Sequence, residues 1–86
     1  MKQPLESDFE ARVVGASVHV HFKPTDTYFD YSRLADAEDI KKCGPISSVA
    51  TVRHAKTGDL GDYSAESEMV YRMAREAALR LIEGLR

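Results

Sequence analysis

Tryptophan is absent from this chain and cysteine occurs once. The lone Cys43 cannot close an internal disulfide, and small secreted domains normally depend on several, so a reducing, cytoplasmic setting is expected. No apolar run approaches the roughly 18 residues that span a bilayer, so no membrane helix is expected. The opening MKQPLESDFEARVV has no apolar stretch of the kind that directs secretion. Charge of one sign is also scarce. A formal net charge of −2 gives no general attraction for nucleic acid. Three prolines and five glycines are scattered, leaving no low-complexity tract, and no internal repeat is visible.

What is present is the composition of an ordinary globular domain, 43% apolar and 30% charged. At 86 residues the chain supports one α+β domain over 1–86 with one modest core. Its charge is unevenly spread. Residues 24–40 carry Asp26, Asp30, Asp36, Glu38 and Asp39 against Arg33. Residues 69–86 carry Arg72, Arg75, Arg80 and Arg86 against Glu76 and Glu83. An acidic middle and a mildly basic tail attract one another.

The stretch from Phe9 to Phe22 reads as a hairpin about Val14-Gly15-Ala16-Ser17, with glycine at the first central position of a type II′ turn. Folded there, Val14 faces Ser17, Val13 faces Val18, Arg12 faces His19, Ala11 faces Val20, Glu10 faces His21 and Phe9 faces Phe22. One side then holds Phe9, Ala11, Val13, Val18, Val20 and Phe22. The other holds Glu10, Arg12, Val14, Ser17, His19 and His21. Such segregation fixes register in a half-buried sheet.

KPTD at 23–26 is a turn. TYFDYSRL reads either as a third strand or as the start of a helix. A helix capped by Asp30 or Ser32 would run to Cys43 with Leu34, Ala37 and Ile40 inward, and Gly44-Pro45 would stop it. ISSVATVRHA alternates and is β-branched, predicting a strand over 46–55. Leu60 to Tyr63 is a candidate short edge. From Ser64 onward the pattern predicts a long helix, 65–85, capped by Ser64 or Asp62. Glu66 and Glu68 lie in its first turns, where its dipole favours acids. Val70, Ala74, Ala77, Ala78, Leu81 and Leu85 centre its apolar arc, flanked by Tyr71, Met73 and Ile82. That arc is wide for so thin a sheet. Either the middle segment covers its flank or a second copy does, so a homodimer is one expectation.

Each site candidate has a plain structural reading beside it. His19 and His21 project from one strand face, a metal half-site that needs a third ligand. Parity sets His54 with Ile46, Ala50 and Val52, on the opposite side. Glu10, across from His21, is more simply its cross-strand ionic partner. A solvated strand face is therefore the expectation, with His19 and His21 as the weak metal candidates and no cofactor predicted. Lys41 and Lys42 would help to ionise Cys43, but it would sit at a helix C-terminus, where the dipole raises a thiol pKa, and no motif places a histidine beside it. KTGDLGDYS (56–64) places glycines before a helix but lacks phosphate-loop spacing, and acids crowd the helix start. No Ser/His/Asp order is present. The catalytic set is empty and no enzyme is expected.

The C-terminal MAREAALRLIEGL is superficially similar to the last helix of a double-stranded-RNA-binding domain. Where that family has a basic cluster this chain reads SAESEMV, with Glu66 and Glu68, and the family is not assigned. Arg72, Arg75 and Arg80, interleaved with glutamates, read as a solvated helix face, and nucleic acid is not the expected partner.

The remaining candidate is TDTYFDYSRLADAED, 25–39, where Tyr28, Phe29 and Tyr31 cluster among acids. Exposed aromatics with a charged rim have the composition of an interaction hot spot; the plain reading is that Phe29 is core and the tyrosines pack their rings at its edge, hydroxyls outward. The fold expected is α+β: an antiparallel sheet from the 9–22 hairpin and the 46–55 strand, packed on one face by the long C-terminal helix. The function expected is a non-enzymatic accessory module. It would bind a protein partner through Tyr28, Phe29, Asp30, Tyr31, Asp36 and Asp39, one form of this being an inhibitor of nucleic-acid machinery. A metal or small-molecule site on the His19/His21 face is the alternative, with weak nucleic-acid binding by the helix arginines behind it.

Overall fold

The structure, a computed structural model, describes residues 3–42, 49–54 and 60–85, with His54 described by its backbone. The expectations for Cys43, for Gly44-Pro45, for the start of the 46–55 strand and for KTGD lie outside the described residues. Alternation of apolar and polar residues builds the first two strands, β1 (Phe9–Val14) and β2 (Ser17–Phe22). Their register, from Phe9 opposite Phe22 to Val14 opposite Ser17, is the predicted one. Gly15 turns the hairpin at φ +59° while Ala16 keeps a negative φ, the sign pattern of a type II′ turn.

After β2 a single 3-10 turn, Lys23–Thr25, ends at Asp26 in the left-handed conformation, φ 53° and ψ 47°. Aspartate tolerates that region better than most residues. The ambiguous TYFDYS segment is a strand, β3 (Thr27–Ser32), antiparallel to β2. Strand β4 (Ala50–His54) adds beyond it, giving the sheet order β1-β2-β3-β4. A short helix, α1 (Ala37–Lys42), lies between β3 and β4 in the chain. Helix α2 (Ser67–Gly84), about 27 Å long at 1.5 Å per residue, covers one face of the sheet.

That covered face is the core. Val18, Val20, Phe22, Phe29 and Tyr31 from the sheet meet Val70, Ala74, Ala77, Ala78 and Ile82 from α2. Alanines in mid-helix let the backbone approach the strands, and aromatic rings fill the wider ends. Phe22 lies 4.9 Å from Phe9 and edge-on to Tyr63 at 5.0 Å; Phe29 meets Tyr71 edge-on at 5.9 Å. Such tilted contacts add about 0.5–1.5 kcal/mol each beyond the area they bury.

Several expectations are corrected. No helix starts at Asp30 or Ser32. Helix α1 is opened instead by Asp36, whose carbonyl accepts from the amides of Asp39 and Ile40. Ile40 is buried as expected, but Leu34 is 77% exposed, because the chain turns sharply after β3 with the Arg33 amide bonded to the Ala16 carbonyl. Leu60–Tyr63 is no edge strand. Leu60 is buried, Gly61–Glu66 forms a 3-10 turn, and Tyr63 is held by Phe22. Helix α2 accordingly begins at Ser67, with neither Ser64 nor Asp62 as its cap. Its buried arc includes Leu79, which the wheel omits, and excludes Leu85, 54% exposed beyond the last turn. Helix α1 also packs on α2. The middle segment thus covers the flank of the long helix.

This packing makes a two-sided prediction. Phe29→Ala should lower the unfolding free energy by about 3–5 kcal/mol, much of a domain total of roughly 5–10 kcal/mol. Leu34→Ala should change it by less than about 0.5 kcal/mol. Urea titrations of the two variants check both.

Candidate functional site, the uncovered face of the sheet

Period-two alternation sends the residues between the core positions to the opposite face, which no described element covers. Two rows cross it. Arg12, His19, Asp30 and Thr51 are successive register partners, and so are Glu10, His21, Tyr28 and Arg53. The second row is built around an aromatic ring. His21 stacks on Tyr28 with centroids 4.3 Å apart and planes 9° from parallel. The Arg53 guanidinium lies 5.1 Å from the same ring's centre. Because β2 and β4 flank β3 from opposite sides, imidazole and guanidinium cover the two faces of Tyr28 between them. Tyr28 is left half-buried.

Charged contacts lock this stack in place. Arg53 donates from Nε to Asp30 Oδ2 at 2.9 Å and from Nη2 to Oδ1 at 3.2 Å, a forked pair in which both oxygens are used. That hydrogen bonding, followed by the attraction of the Asp30 charge, raises the pKa of Arg53 above its ordinary value. Asp30 Oδ1 also lies 3.5 Å from His19 Nε2. On the neighbouring row His21 Nε2 meets Asp26 Oδ1 at 2.7 Å. A carboxylate only accepts, so this imidazole nitrogen carries the proton and donates. The left-handed turn at Asp26 brings its carboxylate to His21.

A shallow depression of about 460 Å³ opens on this face, lined by Glu10, Ala11, Arg12, His19, His21 and Tyr28. The two histidines share it, as the sequence implies. Each presents Nε2 to a carboxylate, and no cluster of three or more metal-ligating residues occurs among the described residues. His54 is in register with Thr27 on β3.

The acidic-aromatic segment is divided by the fold. Tyr28 and Asp30 belong to the uncovered face. Phe29 and Tyr31 are 1% and 2% exposed beneath the helix. Asp36 and Asp39 flank and join α1, whose Ile40 enters the core on the helix side. The helix arginines lie on that side too, with Arg72 3.5 Å from Glu76. Sequence reasoning misses Arg53. Its place on the polar side of an alternating strand is the available signal, but its partner Asp30 is 23 residues away.

Comparison of the chain with protein-family models, with curated proteins and with solved structures gave no match.

Removing the carboxylate that anchors the array tests this arrangement. Asp30→Asn should cost about 1 kcal/mol, since both partners are partly solvated. The sign of the pH dependence follows from Arg53. A raised pKa stabilises the fold below the group's unfolded value and loses that contribution only as pH rises through the folded one. The difference between wild type and Asp30→Asn should therefore stay constant from about pH 7 to about pH 10, where arginine remains charged. Thermal melts across that range measure it.

Proposed function

We propose that this chain is a non-enzymatic interaction module that binds a protein partner through the uncovered face of its sheet, centred on Tyr28. The observation that carries the reading is the locked array of His21, Tyr28, Arg53, Asp30 and His19. Its side chains are already held by one another, so little further rotamer freedom is lost when a partner docks. Tyrosine and arginine at the centre of a patch, with charged groups around them, have hot-spot composition. Within the array the acids and bases are paired along the face, His21 with Asp26 and Arg53 with Asp30, which suits recognition better than proton transfer. Both faces of Tyr28 are occupied, which disfavours the stacked-base mode of single-stranded nucleic-acid binding. Of the acidic-aromatic segment, Tyr28 and Asp30 supply the contact. Phe29 and Tyr31 support it from the core. The single cysteine is the basis for placing the module in the cytoplasm.

Affinity capture tests the reading with two variants of equal charge change placed on opposite sides of the molecule. Arg53→Glu inverts a charge inside the array, and Arg72→Glu inverts one on the outer side of α2. Circular dichroism must show both folded. A near-stoichiometric protein captured by wild type and by Arg72→Glu, and lost with Arg53→Glu, is the expected result. Retention by Arg53→Glu with loss by Arg72→Glu would move the contact surface to the helix and end this reading.

A further inference from the structure

The outer edge of β1 has the chemistry of a self-complementary seam. β1 is the terminal strand of the sheet, and among the described residues no further strand flanks it. In a two-residue hairpin the pair beside the turn, Val14 and Ser17, is hydrogen-bonded, and bonded and non-bonded pairs then alternate. Glu10, Arg12 and Val14 therefore direct their backbone groups toward β2. Phe9, Ala11 and Val13 direct theirs outward, and of these the Phe9 amide already donates to the Glu6 carbonyl. The same three residues carry the inward-facing side chains, and these are only half-buried, whereas Val18, Val20 and Phe22 beside them are fully buried. The half-buried side chains of this edge and the outward backbone groups of Ala11 and Val13 have no partner strand among the described residues.

Edge strands in monomeric proteins are normally guarded by proline, a bulge, a covering helix or loop, or charged side chains, lysine above all. β1 has an unbroken six-residue register without proline or bulge. Its two charges are of opposite sign, placed symmetrically about Ala11. Antiparallel pairing of two copies about a two-fold axis at Ala11 sets Glu10 opposite Arg12 of the second copy, and Arg12 opposite its Glu10. Phe9 then faces Val13 of the second copy on the covered side, beside a groove lined by Glu6, Phe9, Met73, Glu76 and Arg80. The nearest rival for Glu10 is Lys23 at 3.8 Å, with both side chains largely solvated, a pair too loose to hold it.

We propose that the chain forms a homodimer through this β1–β1 seam, centred on Ala11. The dimer joins the two four-stranded sheets into one. It also brings two copies of the depression lined by Glu10 and Arg12 to either side of the axis. The proposal rests on the edge alone and does not depend on what the uncovered face binds.

Sedimentation velocity on the full chain over a wide dilution series tests it. Wild type should be dimeric at high concentration and dissociate on dilution. Glu10→Arg places like charges opposite each other twice across the seam and should weaken the dimer by at least about tenfold. The exchange variant Glu10→Arg/Arg12→Glu restores opposite charges and should recover it. Ala11→Pro removes an outward amide that β2 does not use, a substitution edge strands accept, and should leave a folded monomer. Wild type monomeric at every concentration would overturn the proposal. So would a folded Glu10→Arg or Ala11→Pro variant that dimerises as tightly as wild type, or a folded exchange variant that stays dissociated.

Discussion

The register of the first hairpin is the constraint on which the rest of this structure depends. With Phe9 opposite Phe22 and Val13 opposite Val18, the apolar side chains of the ribbon share one face, Val14 beside the turn excepted, and the ionisable ones share the other. A slip of one residue in a single strand would send its polar set into the core. Helix α2 has a surface to cover only because this segregation holds. β3 and β4 continue the same alternation, so Phe29, Tyr31, Ala50 and Val52 extend the apolar face while Tyr28, Asp30, Thr51 and Arg53 extend the polar one.

The covered face and the open face therefore depend on one alternation. Residues adjacent in sequence have opposite environments: Phe29 is inaccessible while Tyr28 and Asp30 on either side of it join the surface array. The open face is ordered by a different physics from the core. Its contacts are a stacked ring pair, a cation over a ring and a forked arginine–carboxylate pair, each of modest energy in solvent. Together they restrict the same few side chains, which gives the face a defined shape without making it a main source of stability.

Much of this is legible in the amino-acid sequence. The hairpin is, because Gly15 and two alternating runs agree on one register. The placement of His19 and His21 on a solvated side follows from that register. β3 is not, because TYFDYS offers caps for a helix and β-branched and aromatic residues for a strand in the same six positions. Pairing on both sides, with β2 and β4, decides it, and that is a tertiary fact. Leu79 is missed because a helical wheel describes one contact stripe, while α2 also packs against α1; Leu85 is misjudged because the wheel continues past Gly84, where α2 ends. The links from Asp26 to His21 and from Asp30 to Arg53 lie beyond local pattern. One needs a left-handed turn, the other a strand supplied by a distant part of the chain.

The two-faced sheet is the central claim, and solvent paramagnetic relaxation by an inert soluble gadolinium chelate tests it most directly. With assigned side-chain resonances, the claim predicts strong relaxation of Tyr28, Arg53, Glu10 and Arg12 and weak relaxation of Phe29, Tyr31, Val18 and Val20. Relaxation of Phe29 or Tyr31 as strong as that of Tyr28 would contradict it, and with it the register, the core and the open face together.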